Sequence, residues 1–305
     1  MKKFIIRTLI LGGIVGSLLL SIVIFVPIQP NDYLQAYKLK CKLLEETESP
    51  RIIFVGGSNL AFGLDSQRIK DSLGINVVNY GLHAGIGLKF MIDDVATYIQ
   101  KGDILVIAPE YGHFYTIQYG ESATIAPIQA IAGWEKLNLL NFTQMKNVIS
   151  GLPRIIEYIR PKNYDERSYV LSGFNGYGDE VKHWNLEGIA IAEPGSSNKP
   201  FDLSFGEYFI RKIENLEQEK QCEVIIVPPV CRESAFKAMK NKVEETSAFL
   251  DSNGHPFLVS PEHHALSDEY AYDTDYHMNY EGVKKYTSSM IEILKSVLNK
   301  STQDK

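Results

Sequence analysis

Cysteine is scarce in this sequence. The 305 residues hold three, Cys41, Cys222 and Cys231. An odd and sparse set is not a disulfide framework, and no CxxC or Cys/His spacing suited to a structural zinc site occurs. Cys222 and Cys231 flank an apolar run and could pair in an oxidising compartment, which is the less favoured reading. Clustered positive charge is also lacking. Lys and Arg number 31 against 37 Asp and Glu, for a net charge of -6, and no basic run is interleaved with aromatics. Nucleic-acid phosphates are bound by clustered cations, so that class of partner is excluded. There is no internal repeat and no low-complexity tract. The glycine-rich loops lack the G-K-[ST] ending of a phosphate loop. A dinucleotide fingerprint through Gly85 and Gly87 would need glycine at position 90, where Phe90 stands. Neither a metal nor an organic cofactor is called for.

What the chain does have begins at its N-terminus. Thr8 to Val26 is an uncharged, mostly apolar run, of the length that a bilayer core asks of a helix, roughly 20 residues. Lys2, Lys3 and Arg7 precede it, which favours an inside N-terminus, although Lys38, Lys40 and Lys42 follow on the other flank. Pro27-Ile-Gln-Pro30 replaces the small-residue cleavage site of a signal peptide. The expectation is an uncleaved single-pass anchor over residues 1–30, a polar, partly helical neck over 31–50, and a globular domain outside the cytoplasm over 51–305. Hydrophobic content of 45% and charged content of 22% are ordinary for a globular chain.

Within that domain, short apolar runs alternate with helical patterns. Arg51–Val55, Ile75–Val78 and Asp103–Ala108 read as strands. Asp65–Leu73, with Asp65 as N-cap, and Gly87–Gln100 read as helices. After a long stretch at about 114–200, rich in Gly, Tyr and Asn and with one helix near Met145–Arg160, the alternation resumes. A helix at Phe205–Glu219, a strand at Glu223–Val227, a helix at Ser234–Leu250, a short strand at Pro256–Val259 and a final helix at Tyr280–Leu298 follow. This order predicts an α/β fold, a parallel sheet covered on both faces, with 114–200 as an insertion over it.

Ligands of open α/β sheets bind beyond the carboxyl ends of the strands, so the loops there are the ones to search. Gly56-Gly57-Ser58-Asn59 follows the first strand, and its glycines permit a tight turn that exposes Ser58. Gly81 to Gly87 follows the second and could present N–H groups to an anion. Asp273-Thr-Asp-Tyr-His277 precedes the last helix and suits a histidine base with an orienting acid.

Each loop alone is ordinary turn chemistry; their order resembles the SGNH (GDSL-like) hydrolase superfamily, over roughly Arg51 to the C-terminal helix. The resemblance implies a three-layer α/β/α, flavodoxin-like domain with Ser58 as nucleophile, His277 as base and Gly85 as oxyanion glycine. The first block reads GGSN in place of GDS. Thr274 stands three before His277, where the family has its acid. Asp273 is chosen because D-[ST]-x-Y-H-x-N looks like variants in membrane-anchored members, with Asp275 as the alternative. The third block has no Asn: Pro109-Glu110-Tyr111-Gly112 follows the strand. Glu110 could line the site, and Asn175 is a candidate substitute donor.

The anchor, the SGNH-like body and Val227-Pro228-Pro229 together look like a subgroup that works beside membrane-bound O-acyltransferases, as in teichoic-acid D-alanyl transfer and alginate acetylation. The expectation is an esterase or O-acyltransferase acting on acyl groups of an envelope glycan. The alternative is a non-catalytic glycan-binding or assembly subunit. It is motivated by the missing Asn and by aromatics available for stacking on sugars: Tyr111, Phe114, Tyr115, Tyr119, Phe174, Tyr177 and Trp184.

Overall fold

The computed structural model describes residues 1–25, 27–160, 169–194 and 199–303. Four fully parallel strands form the central sheet: β1 (Arg51–Gly56), β2 (Asn76–Asn79), β3 (Ile104–Ala108) and β4 (Glu223–Ile226), in the order β2-β1-β3-β4. Register pairs Ile53 with Val78 on one side and with Leu105 on the other, and Val106 pairs with Ile225. β1 and β3 are buried throughout. Their unbroken apolar runs arise because both faces of a parallel sheet are covered.

Alternate strand residues feed two cores. Ile53, Val55, Val78, Leu105, Ile107 and Ile226 face one. It is closed by α2 (Ala36–Glu46), α5 (Leu88–Val95), α6 (Ser122–Ala132), α9 (Leu203–Lys220) and Leu250 of α11 (Lys240–Ser252). Ile52, Phe54, Val77, Val106 and Ile225 face the other, beneath α12 (Tyr280–Gln303) and α4 (Ser66–Leu73). Leu60 of the short helix α3 (Ser58–Ala61) also joins that side. Asp65 caps α4 as expected, its Oδ1 accepting the Arg68 N–H at 3.0 Å.

Several elements differ from expectation. The segment foreseen as a neck is built into the domain: Tyr33, Leu34, Ala36, Tyr37 and Leu44 join the first core, as does Ile28, which the anchor boundary had excluded. Buried Lys40 donates to Asn79 O at 2.9 Å and to Gly178 O, clamping α2 to β2. The strand expected at Pro256–Val259 does not form. Leu258 N–H reaches Ile226 O at 2.9 Å, but Pro256 has no N–H to extend the ladder. A parallel pair of two residues each, β5 (Cys231–Arg232) and β6 (Ala265–Leu266), forms nearby. The helix foreseen at 234–250 breaks at Met239 into α10 (Glu233–Ala238) and α11. The insertion supplies α6, α7 (Phe142–Gly151) and α8 (Ile155–Ile159), with Ile128 and Ile131 in the main core; its residues 161–168 and 195–198 lie outside the described residues. Cys222 and Cys231 are free thiols, not a pair.

The expected membrane span needs correction. α1 (Lys2–Phe25) is helical, but among the described residues no helix is long and apolar enough to cross a membrane. The helix opens with Lys2, Lys3 and Arg7. Val26 lies outside the described residues.

Candidate active site

The strand order reverses direction between β1 and β3, so the carboxyl ends of these neighbouring strands form the switch point at which ligands of such sheets bind. Ser58 follows β1 and Glu110 follows β3. Gly56 and Gly57 make the approach possible. A Cβ on Gly56 would press on Ala108 O, and one on Gly57 would overlap the Glu110 carboxyl. The carboxyl therefore rests against the backbone beside Ser58. Its Oε1 accepts the Asn59 N–H at 3.4 Å, and the polar groups of the neighbouring Ser58 favour its charged form. Glu110 is buried. Burial pushes its carboxyl up to about 7, against the downward pull of those hydrogen bonds and with a further push from the charge of Glu121.

The second half of the site is the loop before α12. The Thr274 hydroxyl accepts the His277 N–H at 3.1 Å, and Tyr272 N–H donates to His277 O at 2.8 Å, which folds the loop back on itself. Asp273 Oδ1 then lies 2.7 Å from His277 Nδ1. Asp275 points the other way and pairs with Arg232 Nε at 2.7 Å. Asp273 is thus the acid beside the imidazole, and the alternative is excluded by geometry. A carboxylate on Nδ1 sets the tautomer that leaves Nε2 as the acceptor. Burial alone would raise Asp273, but the hydrogen bond and charge of His277 and a hydrogen bond from Tyr169 hold it below the usual carboxylate range.

Phe62 joins the halves. It follows Ser58 by one helical turn, and its ring stacks on His277 at 4.1 Å between centroids and 9° between planes. Tyr169, from the insertion, donates to Asp273 Oδ2, and its oxygen lies 3.4 Å from His277 Nδ1. Neither residue carries a motif; a sequence reading has no signal by which to find them. Among the described residues, no hydrogen bond joins Ser58 to His277, as is common in unliganded sites. His83 also faces His277. Burial, then the charge of His277, pushes it down to about 4, so it stays neutral.

Two expected oxyanion donors are occupied. Gly85 donates its N–H to His83 Nδ1 at 2.9 Å. Asn175 closes its own turn: Oδ1 accepts the Tyr177 and Asp179 N–H groups, each at 2.9 Å, and Nδ2 donates to Asp179 at 3.0 Å. Both groups serve loop structure, because short Asx-type bonds satisfy backbone donors locally. The aromatics proposed for sugar stacking also fall away in part. Tyr111, Phe114 and Tyr115 are buried, Tyr119 and Phe174 pack on the core, and Trp184 stacks on Tyr280 at 4.9 Å. Among the described residues, no group of three or more His, Cys, Asp or Glu is placed to hold a metal ion.

The Asp273–His277 pair supplies a carboxylate-oriented imidazole able to accept a proton at Nε2. No protein-family model, curated protein or solved structure matches the chain.

Proposed function

We propose that the chain is an SGNH-type serine esterase or O-acyltransferase that acts on acyl groups of an extracytoplasmic glycan or envelope polymer. The observation that carries this is the Asp273–His277 pair at 2.7 Å, whose imidazole stacks on Phe62, the residue four after Ser58 at the end of the short helix that follows β1. The strand order also agrees with the first four strands of a flavodoxin-like, three-layer domain.

In the proposed reaction, the Ser58 hydroxyl turns to His277 Nε2 and attacks the acyl carbonyl as its proton passes to that nitrogen. The tetrahedral intermediate collapses, and the leaving oxygen takes the proton from His277. Water or a glycan hydroxyl then attacks the acyl-Ser58 carbonyl, gives its proton to Nε2, and releases Ser58 with the proton returned. Asp273 stays ionised and stabilises the imidazolium.

For localisation, we propose membrane attachment through α1 with the domain outside the cytoplasm, beside a membrane-bound O-acyltransferase as partner. Phe4, Leu9, Leu11 and Leu18 of α1 are all exposed, and none joins either core.

The test is turnover of p-nitrophenyl acetate, with covalent labelling by a serine-directed phosphonate. Ser58→Ala should lose both and His277→Ala should lose turnover, with circular dichroism unchanged. Labelling of Ser58→Ala at the wild-type level would exclude the mechanism.

A second reading is a non-catalytic assembly or glycan-binding subunit. The occupied donors at Gly85 and Asn175 favour it. Wild-type protein that neither turns over ester nor takes the phosphonate would select this reading.

A further inference from the structure

An acyl-transfer site needs donors aimed at the oxygen on which charge develops; one such donor contributes on the order of 10²–10³ in kcat. Here the Gly85 N–H is held by His83 and the Asn175 amide by Asp179. The Asn59 N–H points at Glu110 Oε1, and the carboxyl lies against Gly57, the residue before Ser58. The group beside the nucleophile is therefore a carboxyl. As a carboxylate it would put a second negative charge against the forming oxyanion, and two like charges in one buried site are not held together. As the neutral acid it has an O–H to donate.

We propose that Glu110, as its neutral acid, is the hydrogen-bond donor to the oxyanion formed at Ser58, and that as a carboxylate it holds the site closed by retaining the Ser58 hydroxyl. The inference rests on the acyl-transfer reading above and deepens it. The proton is not transferred: it stays on Glu110 while the other carboxyl oxygen continues to accept from the backbone. Glu110 differs in this from the Asp273 carboxyl, which His277 keeps ionised.

The surroundings suit a neutral acid. The charge of Glu121 before α6 acts on Glu110, and the charge of Glu110 acts in turn on Cys231 of β5, Tyr276 of the histidine loop and Tyr33 before α2. None is a cation. His113, in the turn that follows Glu110, is pushed down to about 4 by burial and is neutral. The acid with its midpoint at about 7 changes state within the range where most enzymes operate.

The experiment is the pH dependence of kcat/KM above pH 7 for p-nitrophenyl acetate, with the full chain in detergent, wild type beside Glu110→Gln and Ser58→Ala. The amide of Gln donates and does not titrate. Wild type is expected to fall about tenfold per pH unit above its midpoint, roughly 100-fold by pH 9. Glu110→Gln is expected to start about tenfold lower, as an altered donor, and to show no fall, so that the two profiles cross. An unchanged alkaline fall in Glu110→Gln overturns the proposal. So does loss of turnover at every pH with the phosphonate still labelling Ser58, because Glu110 would then act as a carboxylate. If the phosphonate labels Ser58 in neither protein, the acyl-transfer reading itself has failed and the proposal falls with it; labelling separates the two failures.

Discussion

Asp273 and Asp275 differ in sequence by one intervening residue and in the structure by their partners. One faces His277 and the other Arg232. Their variants should therefore separate. Asp273→Asn is expected to lower kcat by about 10³–10⁴, since the amide no longer fixes the Nδ1–H tautomer. Asp275→Asn should leave kcat within about threefold and lower Tm, because a buried guanidinium loses the nearer of its two carboxylate partners, Asp268 at 3.6 Å remaining. Steady-state kinetics and thermal melts of the two proteins check both. Tyr169→Phe should cost about tenfold in kcat by removing the donor to Asp273 Oδ2.

Glu110 also makes a stability prediction. Its folded-state value of about 7 lies above the ordinary 4.5, so between those values the folded state binds more protons than the unfolded one. Its contribution to stability is complete below about pH 4.5 and is lost as pH rises through 7. Glu110→Gln should not show this loss. Relative to wild type, the variant's unfolding free energy should rise by up to about 3 kcal/mol from pH 4.5 to pH 8, measured by urea titration at each pH.

At the scale of elements, the turn between β1 and α3 is built around glycine for reasons of space, since the conformation of Gly57 is an extended one open to any residue (φ -81°). Gly57→Ala should displace the Glu110 carboxyl or the turn itself, with a cost of about 1–3 kcal/mol from overpacking and loss of ester turnover. α2 is the other element whose role exceeds its sequence. In sequence, Lys38, Lys40 and Lys42 are positive charges on the flank of the apolar N-terminal run. Lys40 is instead fully buried against two carbonyls. Periodicity could not reveal this, because a lysine inside a fold is stabilised by acceptors from Asn79 and Gly178, distant in the chain. A chain starting at Pro27 should unfold cooperatively, whereas one starting at Glu48 should not, as it lacks Tyr33, Leu34, Tyr37 and Leu44 of the core.

Across the whole molecule, the sheet and its site are legible to different degrees. The four strands and the main flanking helices follow from local patterns: β-branched runs closed by glycine or proline, and the 3.6-residue spacing of amphipathic helices. Ser58, Asp273 and His277 were recognisable because they sit in loops that the strand–helix order places at the carboxyl end of the sheet. The hydrogen bonds of Gly85 and Asn175 were not legible in sequence, since whether an N–H or an amide is free depends on neighbours, and theirs are His83 and Asp179. Tyr169 and Phe62 came only from packing: one arrives from the insertion, and the other carries its ring to His277 by one helical turn. What the sequence by itself determined is therefore the α/β class, the parallel strands and the loops that hold the site. The tertiary structure decided which carboxylate meets the histidine, that the Gly85 N–H and the Asn175 amide are bonded within their own loops, and that a buried acid lies against the turn bearing Ser58, because those depend on distances between side chains that a linear pattern does not carry.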